Sequence, residues 1–382
     1  MSELLEFCRS QLEWTVETID ALVRHESPTN DKAAVDRCGA ELARRLTGIG
    51  GRVQRQPRET AGDHLLAEFG CGTSQILVLG HFDTVWPVGQ LARMPCRLSD
   101  GKLFGPGTFD MKGGIGIAML AARVLYEVGP SPSARLVMLW TTDEETGGRS
   151  SRTLIEDEAR RSDAVLVLEP SLPGGAAKTS RKGCGTFELA VRGTSAHPGI
   201  NPGAGASAIH ELARQIVAIT SFHDLPEGVS INVGVMSGGT RSNVVADAAS
   251  ALVDVRLPTR AAASLVDERI RALTAVTAGT TLEIRGGITH PPLERTPAVV
   301  RLYECAKAAA AELGYSLGEG ATGGGSDGNF TAALGVPTLD GLGAVGDGAH
   351  AYEEHIVVED LPWRAALIAR LIQRLAEGRV TP

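Results

Sequence analysis

The sequence lacks the features of a disulfide-stabilised or membrane-spanning protein. Its six cysteines are scattered over 382 residues without a C-x-x-C pair, so neither a disulfide framework nor a cysteine metal site is indicated. No apolar stretch is long enough for a membrane helix, and the polar start MSELLEFCRSQLEW is unlike a signal peptide. We therefore expect reduced thiols, no membrane partner and a cytoplasmic location.

The sequence also lacks runs of lysine and arginine, and its formal net charge is -8. Nucleic-acid-binding domains carry a basic patch or stripe, so we expect no nucleic-acid partner. The length of 382 residues is large for one hydrophobic core, which favours two domains.

Apolar strand-like runs alternate with helical patterns in the first half of the chain. This alternation predicts an α/β sheet with helices on both faces. Ligands of such sheets bind beyond the carboxyl ends of the strands. The predicted strands span 64–69, 76–80, 135–141 and 164–168, and the predicted helices span 3–24, 32–47 and 112–128.

The pattern changes near residue 178, where a compact α+β set begins. It contains two predicted helices, at 205–221 and 262–277, among strand-like runs, and has the size of a small domain. Helices predicted at 297–313 and 360–377 then resume the earlier alternation. A smaller domain is therefore inserted into a larger one. The predicted boundaries are 1–178 and 289–382 for the larger domain and 179–288 for the inserted domain.

Acidic and imidazole side chains recur at predicted strand ends and in Gly-rich turns. These candidates are His81, Asp83, Asp110, Glu144, Glu145, Glu169 and His350. Each also has a structural interpretation. His81 and Asp83 share one face of a strand and can satisfy each other. Asp110 can cap the helix that follows it, and the two adjacent glutamates can be a solvated loop pair.

The strand ends of one sheet converge on one crevice, so we expect these side chains to lie together. Several carboxylates and two imidazoles in one crevice cost free energy unless positive charge neutralises them. Lys112 is the only basic residue within these motifs. A pair of divalent cations would balance the charge, and mixed imidazole and carboxylate ligation suits zinc.

As an ordered set, the motifs HFD, GPGTFDMKGG, DEETGG, LEP and GAH resemble the dinuclear zinc aminoacylase/carboxypeptidase family. That family includes acetylornithine deacetylase, succinyl-diaminopimelate desuccinylase and the glutamate carboxypeptidases of the G type. Among these members, the sequence most resembles the glutamate carboxypeptidases. The resemblance covers essentially the whole chain. It implies a mixed, mostly parallel sheet with helices on both faces, plus an inserted ferredoxin-like α+β dimerisation and lid domain.

The resemblance implies two zinc ions per subunit, with cobalt or manganese as alternatives. Asp110 would bridge both ions. His81 and Glu169 would complete one site. Glu145 and His350 would complete the other. In this family the bond after the bridging aspartate is cis, so we expect a cis peptide after Asp110.

Three further residues would take part in catalysis by the same resemblance. Glu144 would be the general base that activates the metal-bridging water. Asp83 would fix the tautomer of His81. His197, in GTSAHPG, would enter the active site of a partner subunit and bind the developing oxyanion. Without the resemblance, His197 would be interpreted as a turn histidine before Pro198.

The implied substrate-binding residues are Asn243, Arg256, Gly324 and His290. Asn243 and Arg256 would hold the substrate carboxylate, a task that suits the fork of arginine, although Arg256 alone could be a strand-edge charge. The Gly-rich loop around Gly324 can present N–H groups to an anion, ahead of a helix N-cap at Ser326 or Asp327.

His290 marks a departure from the family, because related chains have an arginine at this place before Pro-Pro. An arginine suits the carboxylate of a glutamate side chain, whereas a mostly uncharged histidine would accept neutral side chains as well. The structural alternative is that His290 only packs against Pro291.

The resemblance implies a dinuclear zinc-dependent hydrolase that cleaves an amide bond next to a free α-carboxylate of a small amide or peptide. It also implies a homodimer through the inserted domain. An alternative of the same class is an N-acyl-amino-acid deacylase of the acetylornithine deacetylase type. The alternative from another class is a non-catalytic binding protein, which metal analysis of the purified protein would distinguish.

Overall fold

The computed structural model describes residues 3–128 and 132–378. The chain divides into two compact units. No helix among the described residues is both long and apolar enough to cross a bilayer. The first unit comprises the described parts of 1–180, 295–322 and 326–382, and the second unit comprises 181–294 and 323–325.

The described residues form ten α-helices and sixteen strands. The helices are α1 (Glu3–Ser10), α2 (Leu12–Arg24), α3 (Lys32–Gly48), α4 (Gly113–Glu127), α5 (Arg152–Arg160), α6 (Ala208–Thr220), α7 (Arg260–Arg271), α8 (Pro297–Glu312), α9 (Gly328–Ala333) and α10 (Leu361–Ala376). The strands are β1 (Arg52–Gln56), β2 (His64–Phe69), β3 (Gln75–His81), β4 (Arg97–Ser99), β5 (Lys102–Phe104), β6 (Arg135–Thr141), β7 (Ala164–Val167), β8 (Ala177–Arg181), β9 (Gly183–Arg192), β10 (Ser230–Gly238), β11 (Ala248–Leu257), β12 (Thr281–His290), β13 (Glu319–Thr322), β14 (Thr338–Leu339), β15 (Gly346–Asp347) and β16 (His355–Val357).

The first unit is built on a six-stranded sheet in the order β1-β2-β6-β3-β7-β14. β3 runs parallel to both neighbours, and β14 runs parallel to β7. β2 is antiparallel to β1 and to β6. All residues of β3 are buried, as expected for a strand covered on both faces. The predicted mixed, mostly parallel sheet is confirmed.

Alternate side chains of β3 enter two different hydrophobic cores, because successive residues of a strand point to opposite faces. Ile76 and Val78 belong to the larger core, together with residues of α4 and α10. Leu77 and Leu79 belong to a smaller core, together with residues of α5 and α9. Helices therefore cover both faces of the sheet, as predicted.

A small antiparallel sheet in the order β15-β16-β5-β4 also belongs to the first unit. Its β16 pairs with β5 so that His355 lies opposite Phe104. The pairing brings together the turn that leaves β5 and the loop that enters β16. These two segments carry Asp110 and His350.

The second unit is an antiparallel sheet in the order β10-β11-β9-β12 with two helices, α6 and α7. Its element order β-α-β-β-α-β is the ferredoxin-like arrangement, so the predicted class of the inserted domain is confirmed. Phe187, Leu189 and Val191 of β9 alternate into a core shared with both helices.

The single helix predicted over 3–24 is wrong, because α1 ends at Ser10 and α2 begins at Leu12. The Ser10 hydroxyl donates to the Phe7 carbonyl at 2.7 Å, a local bond that competes with helical pairing. Gln11 has φ of -102° and ψ of 14°, outside helical geometry.

The helix predicted over 262–277 ends earlier, at Arg271. The buried carboxylate of Glu211 in α6 explains the difference. It accepts the backbone N–H of Val276 at 3.1 Å and of Thr277 at 2.8 Å. Because these two N–H groups donate to Glu211, they do not donate to the backbone carbonyls that a continuing helix would offer. A contact so distant in sequence cannot be recognised from helical periodicity.

We predict that Glu211→Gln lowers the free energy of unfolding by about 1–3 kcal/mol, because one amide oxygen cannot replace the charged acceptor. Burial raises the pKa of Glu211, but its contacts with Thr277, Gln215 and Val276 outweigh burial and leave the pKa below the ordinary 4.5. A depressed pKa stabilises the fold above pH 4.5, and the stabilisation is lost as pH falls through the folded-state pKa.

Urea unfolding at pH 7 and at pH 3 measures this effect. The difference between wild type and Glu211→Gln should shrink at the lower pH. Glu268→Gln on exposed α7 surface is the matched control and should change stability little. Equal effects of the two substitutions at pH 7 would contradict the prediction.

Candidate metal centre

The five predicted metal ligands come from a strand end and from loops of the first unit. His81 is the last residue of β3, and Glu169 follows β7 by two residues. Glu145 lies in the short turn after β6. Because β3, β6 and β7 are parallel, their carboxyl ends meet at one edge of the sheet. Asp110 and His350 reach the same edge from the loops of the small antiparallel sheet.

These side chains form two groups that share Asp110. In one group, His81 Nε2 lies 3.3 Å from Asp110 Oδ1 and 3.4 Å from Glu169 Oε1. In the other group, His350 Nε2 lies 3.5 Å from Asp110 Oδ2. The same nitrogen lies 3.3 Å from the Glu145 carboxylate. One aspartate therefore faces two imidazoles, one with each oxygen.

The charges in this cluster are strongly coupled. Burial lowers the pKa of His81, but hydrogen bonds with the surrounding carboxylates outweigh burial and hold the pKa well above its usual 6.5. The hydrogen bond with Glu145 raises the pKa of His350 to about 9. Burial raises the pKa of Glu145 itself. Each imidazole thus lies in a field of excess negative charge.

Lys112 does not supply the compensating charge, although it is the only basic residue of these motifs. Its buried ammonium donates to the backbone carbonyls of Leu22 at 3.0 Å and His25 at 3.1 Å. Two imidazole nitrogens and three carboxylates are donors that a pair of divalent cations accepts. The donor set therefore fits a dinuclear metal centre.

Asp83 holds the His81 ring through two contacts. His81 Nδ1 lies 3.0 Å from the backbone carbonyl of Asp83 and 3.4 Å from its Oδ1. A proton on Nδ1 leaves the Nε2 lone pair directed at the ligand group. Thr29 donates its hydroxyl to Asp83 Oδ2 at 2.7 Å. The sequence indicated the side chain of Asp83 as the orienting group, and the structure shows that its backbone carbonyl is nearer.

The backbone around the shared aspartate has unusual geometry. The Asp110–Met111 peptide bond is cis, which confirms the expectation. Gly107 has a left-handed φ of 75°, and a Cβ there would lie 2.6 Å from Thr84 Cγ2. Only glycine fits both constraints. His350 has a φ of 60°, a region that non-glycine residues rarely adopt.

Glu144 directly precedes Glu145 but belongs to neither ligand group. Burial raises the pKa of Glu144 well above its usual 4.5. The charge of His81 opposes this shift, and neighbouring carboxylates add to it. A carboxylate beside the ligands that is not itself a ligand is suited to accept a proton.

The remaining predicted residues, His197, Asn243, Arg256, His290 and Gly324, belong to the second unit. His197 is exposed, and its Nδ1 accepts the backbone N–H of Gly199 at 3.1 Å and of Ile200 at 3.2 Å. The neutral ring therefore carries its proton on Nε2 and can donate outward.

Arg256 is engaged within the second unit rather than unpaired. Its Nε and Nη2 donate to the two carboxylate oxygens of Asp254 at 2.9 and 3.0 Å. The side chains are 39% and 41% exposed, so the pair is a surface ion pair of low stability. Asn243 is exposed on the loop before β11.

Arg181, which the sequence analysis missed, holds the Gly-rich loop. This buried guanidinium donates from Nη1 to the carbonyls of Gly324 at 3.2 Å and Gly325 at 2.8 Å. His290 is buried beside the same loop, and a Cβ on Gly325 would lie 3.8 Å from it. Its Nδ1 lies 3.5 Å from Cys184 Sγ.

Asp327 is a second residue that the sequence analysis did not place in the site. Ser326 and Asp327 were the two alternatives for the N-cap of α9, and the side chain of Asp327 makes no capping bond. Asp327 Oδ2 instead accepts the Thr141 hydroxyl at 2.7 Å. Ser326 Oγ accepts the N–H of Gly328 at 3.1 Å. Burial raises the pKa of Asp327 to about 7.

Glu354 is the third missed residue, and its signal in the sequence is weak. It stands four residues after His350 in a Glu-Glu pair, which is ordinarily a solvated feature. In the structure its carboxylate is fully buried and contacts the turn that carries Asp110.

Comparison with known proteins agrees with this geometry. Residues 77–374 match the profile of peptidase family M20/M25/M40. The chain is 29% identical to carboxypeptidase G2 of Pseudomonas sp. (strain RS-16), over 95% of this chain and 90% of that protein. It is 30% identical to a succinyl-diaminopimelate desuccinylase of Methylorubrum populi, over 87% of this chain and 92% of that protein.

The fold is also similar to that of solved structures. Aminopeptidase PepT from Bacillus cereus superposes with a TM-score of 0.77 at 24% sequence identity, covering 96% of this chain and 99% of that chain. The metallo-carboxypeptidase Sso-CP2 from Sulfolobus solfataricus superposes with a TM-score of 0.74 at 17% identity, covering 99% of this chain and 100% of that chain.

We predict that metal analysis after dialysis finds two divalent ions per wild-type chain. His81→Ala and His350→Ala should each retain one ion, because each removes a ligand from one group only. Asp110→Ala should retain neither tightly, because it removes the shared ligand. His355→Ala, outside both groups, is the control and should retain both. Equal retention by Asp110→Ala and His355→Ala would contradict a shared ligand.

Proposed function

The chain belongs to peptidase family M20/M25/M40 and is an enzyme with metallopeptidase activity, and from this premise we propose that it hydrolyses an amide bond next to a free α-carboxylate. The substrate is a small amide or peptide. The observation that carries the proposal is the pair of ligand groups sharing Asp110, with Glu144 beside them. One relative is named a carboxypeptidase, which points to the same bond.

Zinc is the metal that the donor set favours, with two ions per subunit and cobalt or manganese as alternatives. His81 and Glu169 would hold one ion. Glu145 and His350 would hold the other, and Asp110 would contribute to both. When bound, the ions supply Lewis acidity, which polarises the amide carbonyl and makes water a nucleophile near neutral pH.

Proton transfer falls to Glu144 in this proposal. Its carboxylate takes a proton from the attacking water and delivers it to the leaving nitrogen. Glu144 is adjacent in sequence to the proposed ligand Glu145 and belongs to neither ligand group, so its carboxylate remains available for both transfers. Asp83 keeps His81 in the tautomer that ligation needs.

His197 is the proposed oxyanion donor, supplied by the partner subunit of a homodimer. The backbone amides that occupy its Nδ1 leave Nε2–H as the outward donor. β10 supports a dimer through the inserted unit, because it is an edge strand of its sheet. Val235 and Met236 on this strand are exposed apolar side chains.

Asn243, Arg256 and the loop around Gly324 are the proposed contacts for the substrate α-carboxylate. A surface ion pair contributes only about 0–1 kcal/mol, so a bound carboxylate can displace Asp254 from the Arg256 fork. The resulting bidentate contact fixes the orientation of the amino acid that is released.

An N-acyl-amino-acid deacylase is the second candidate. The chain is 30% identical to a protein named a desuccinylase, and such a substrate also carries a free α-carboxylate. Both candidates are consistent with the free cysteines, which suit a reducing compartment such as the cytoplasm.

We predict that zinc-loaded protein hydrolyses N-acyl and peptidyl amino acids but not the matched α-carboxamides, which cannot engage Arg256 as an anion. Glutamate and neutral amino-acid substrates should differ by less than about tenfold in kcat/KM, because His290 lacks the fixed charge and the bidentate fork of an arginine. His290→Arg should raise the glutamate preference ten- to hundredfold, the equivalent of about 1.5–3 kcal/mol for one charge-assisted contact.

A panel of short acyl, bulky aryl and dipeptide substrates separates the two candidates, since a deacylase would favour the short acyl groups. His210→Arg adds a positive charge at an exposed position of the same unit and should leave the ratio unchanged. Equal cleavage of the carboxamides would contradict the proposed function. An unchanged ratio of glutamate to neutral substrates in His290→Arg would show that His290 does not contact the side chain of the substrate.

We predict that Glu144→Gln lowers kcat by on the order of a thousandfold, because a general base contributes about 10²–10⁴. Metal content and thermal stability should stay near wild type, since Glu144 belongs to neither ligand group. Glu359→Gln, on the exposed surface of the same unit, is the control. More than a tenth of wild-type activity in Glu144→Gln would contradict its role as the base.

A further inference from the structure

We propose that Glu354 is a positioning residue of the metal centre, which fixes the turn that presents Asp110 and ties it to the loop that presents His350. The proposal rests on the proposed function, because it concerns how the shared ligand is aimed at two ions. Glu354 itself belongs to neither ligand group.

Each oxygen of the Glu354 carboxylate accepts two N–H groups. Oε1 accepts the backbone N–H of Phe109 and of Asp110, both at 3.0 Å. Oε2 accepts the backbone N–H of Gly107 and the indole N–H of Trp86, both at 2.9 Å. A single buried side chain thus binds three backbone amides of one short turn.

Only a carboxylate of this length satisfies all four donors. An ionised carboxyl group is acceptor-only, with room for about four hydrogen bonds. A glutamine would direct its NH₂ group at two of the N–H donors and leave them unsatisfied in a buried place, a costly arrangement. An aspartate is one methylene shorter and would not reach the turn.

The pairing of β16 with β5 places Glu354 next to this turn. The loop before β16 and the turn after β5 lie at the same end of the small antiparallel sheet, since His355 pairs with Phe104. The backbone carbonyl of Glu354 also accepts the N–H of Gly105 at 3.2 Å. The side chain and the main chain of one residue therefore hold both ends of the segment that leads to Asp110.

The contact with Trp86 extends the same constraint to a third loop. Trp86 follows Asp83 in the segment after β3, and its ring lies 5.8 Å from that of Tyr352. Tyr352 stands between His350 and Glu354 in the loop. Glu354 therefore links three segments, which are the loop that follows His81, the turn that carries Asp110 and the loop that carries His350.

Cobalt titration of metal-free protein tests the proposal. Wild type should bind two Co²⁺ per chain, with visible bands that report ligand geometry. Glu354→Gln should bind both ions ten- to hundredfold more weakly, the usual effect of losing a partner that orients a ligand. Its bands should change, and at saturating metal its kcat should fall while KM stays within about threefold.

The matched control is Glu353→Gln, the exposed neighbour, which loses the same charge. It should behave as wild type in affinity, spectrum and kcat. Trp86→Phe is the milder variant, because it removes one donor and keeps an aromatic ring. It should weaken cobalt binding severalfold, and it supplies the test even where Glu354→Gln does not fold.

A merely structural role would lower the melting temperature of the metal-free variants and leave the cobalt affinity and spectrum of the folded molecules unchanged. That result in Trp86→Phe, or in folded Glu354→Gln, would overturn the proposal. Failure of wild type to bind two cobalt ions would instead contradict the proposed function, so the two outcomes are distinguishable.

Discussion

The candidate metal centre of the first unit is organised around one carboxylate that faces two histidines. Asp110 lies within 3.5 Å of His81 on one side and of His350 on the other. The sheet supplies His81 from a strand end, whereas Asp110 and His350 come from loops of a separate small sheet. Burying so many carboxylates together is costly without cations. The fold therefore provides a charge cluster whose stability and purpose both follow from metal binding.

The positions of the candidate ligands at strand ends and in Gly-rich turns were predictable from local sequence patterns, whereas the division into two groups that share Asp110 was implied by the family resemblance. The apolar runs of β3 and β7 predicted buried parallel strands, and the ligands follow directly at their ends. Glu354 could not be predicted, because a carboxylate in a Glu-Glu pair carries no periodic signal and its partners lie more than 240 positions away. The N-cap of α9 was expected at Ser326 or Asp327, because serine and aspartate before a helix are often caps. The bond of Asp327 with Thr141 depends on tertiary packing alone.

In the second unit, too, the sequence pattern predicts the secondary structure but not the partners of polar side chains. Its strands follow from alternating apolar residues, which the sequence displays plainly, whereas the ferredoxin-like arrangement was implied by the family resemblance. The partners of individual polar residues do not follow from that pattern. Asp254 occupies the fork of Arg256, and Arg181 holds the glycine loop. In the proposed function, the first unit would hold the metals, and Arg256 of the second unit would exchange its surface ion pair with Asp254 for the substrate carboxylate.

The proposed dinuclear centre requires that a shared Asp110 hold two ions side by side. Anomalous diffraction from crystals of the zinc-loaded protein, recorded on both sides of the zinc absorption edge, measures this arrangement. We expect two peaks about 3.5–4 Å apart, one between His81 and Glu169 and the other between Glu145 and His350, each in contact with an oxygen of Asp110. A single peak, or a pair of peaks that do not both contact Asp110, would contradict it.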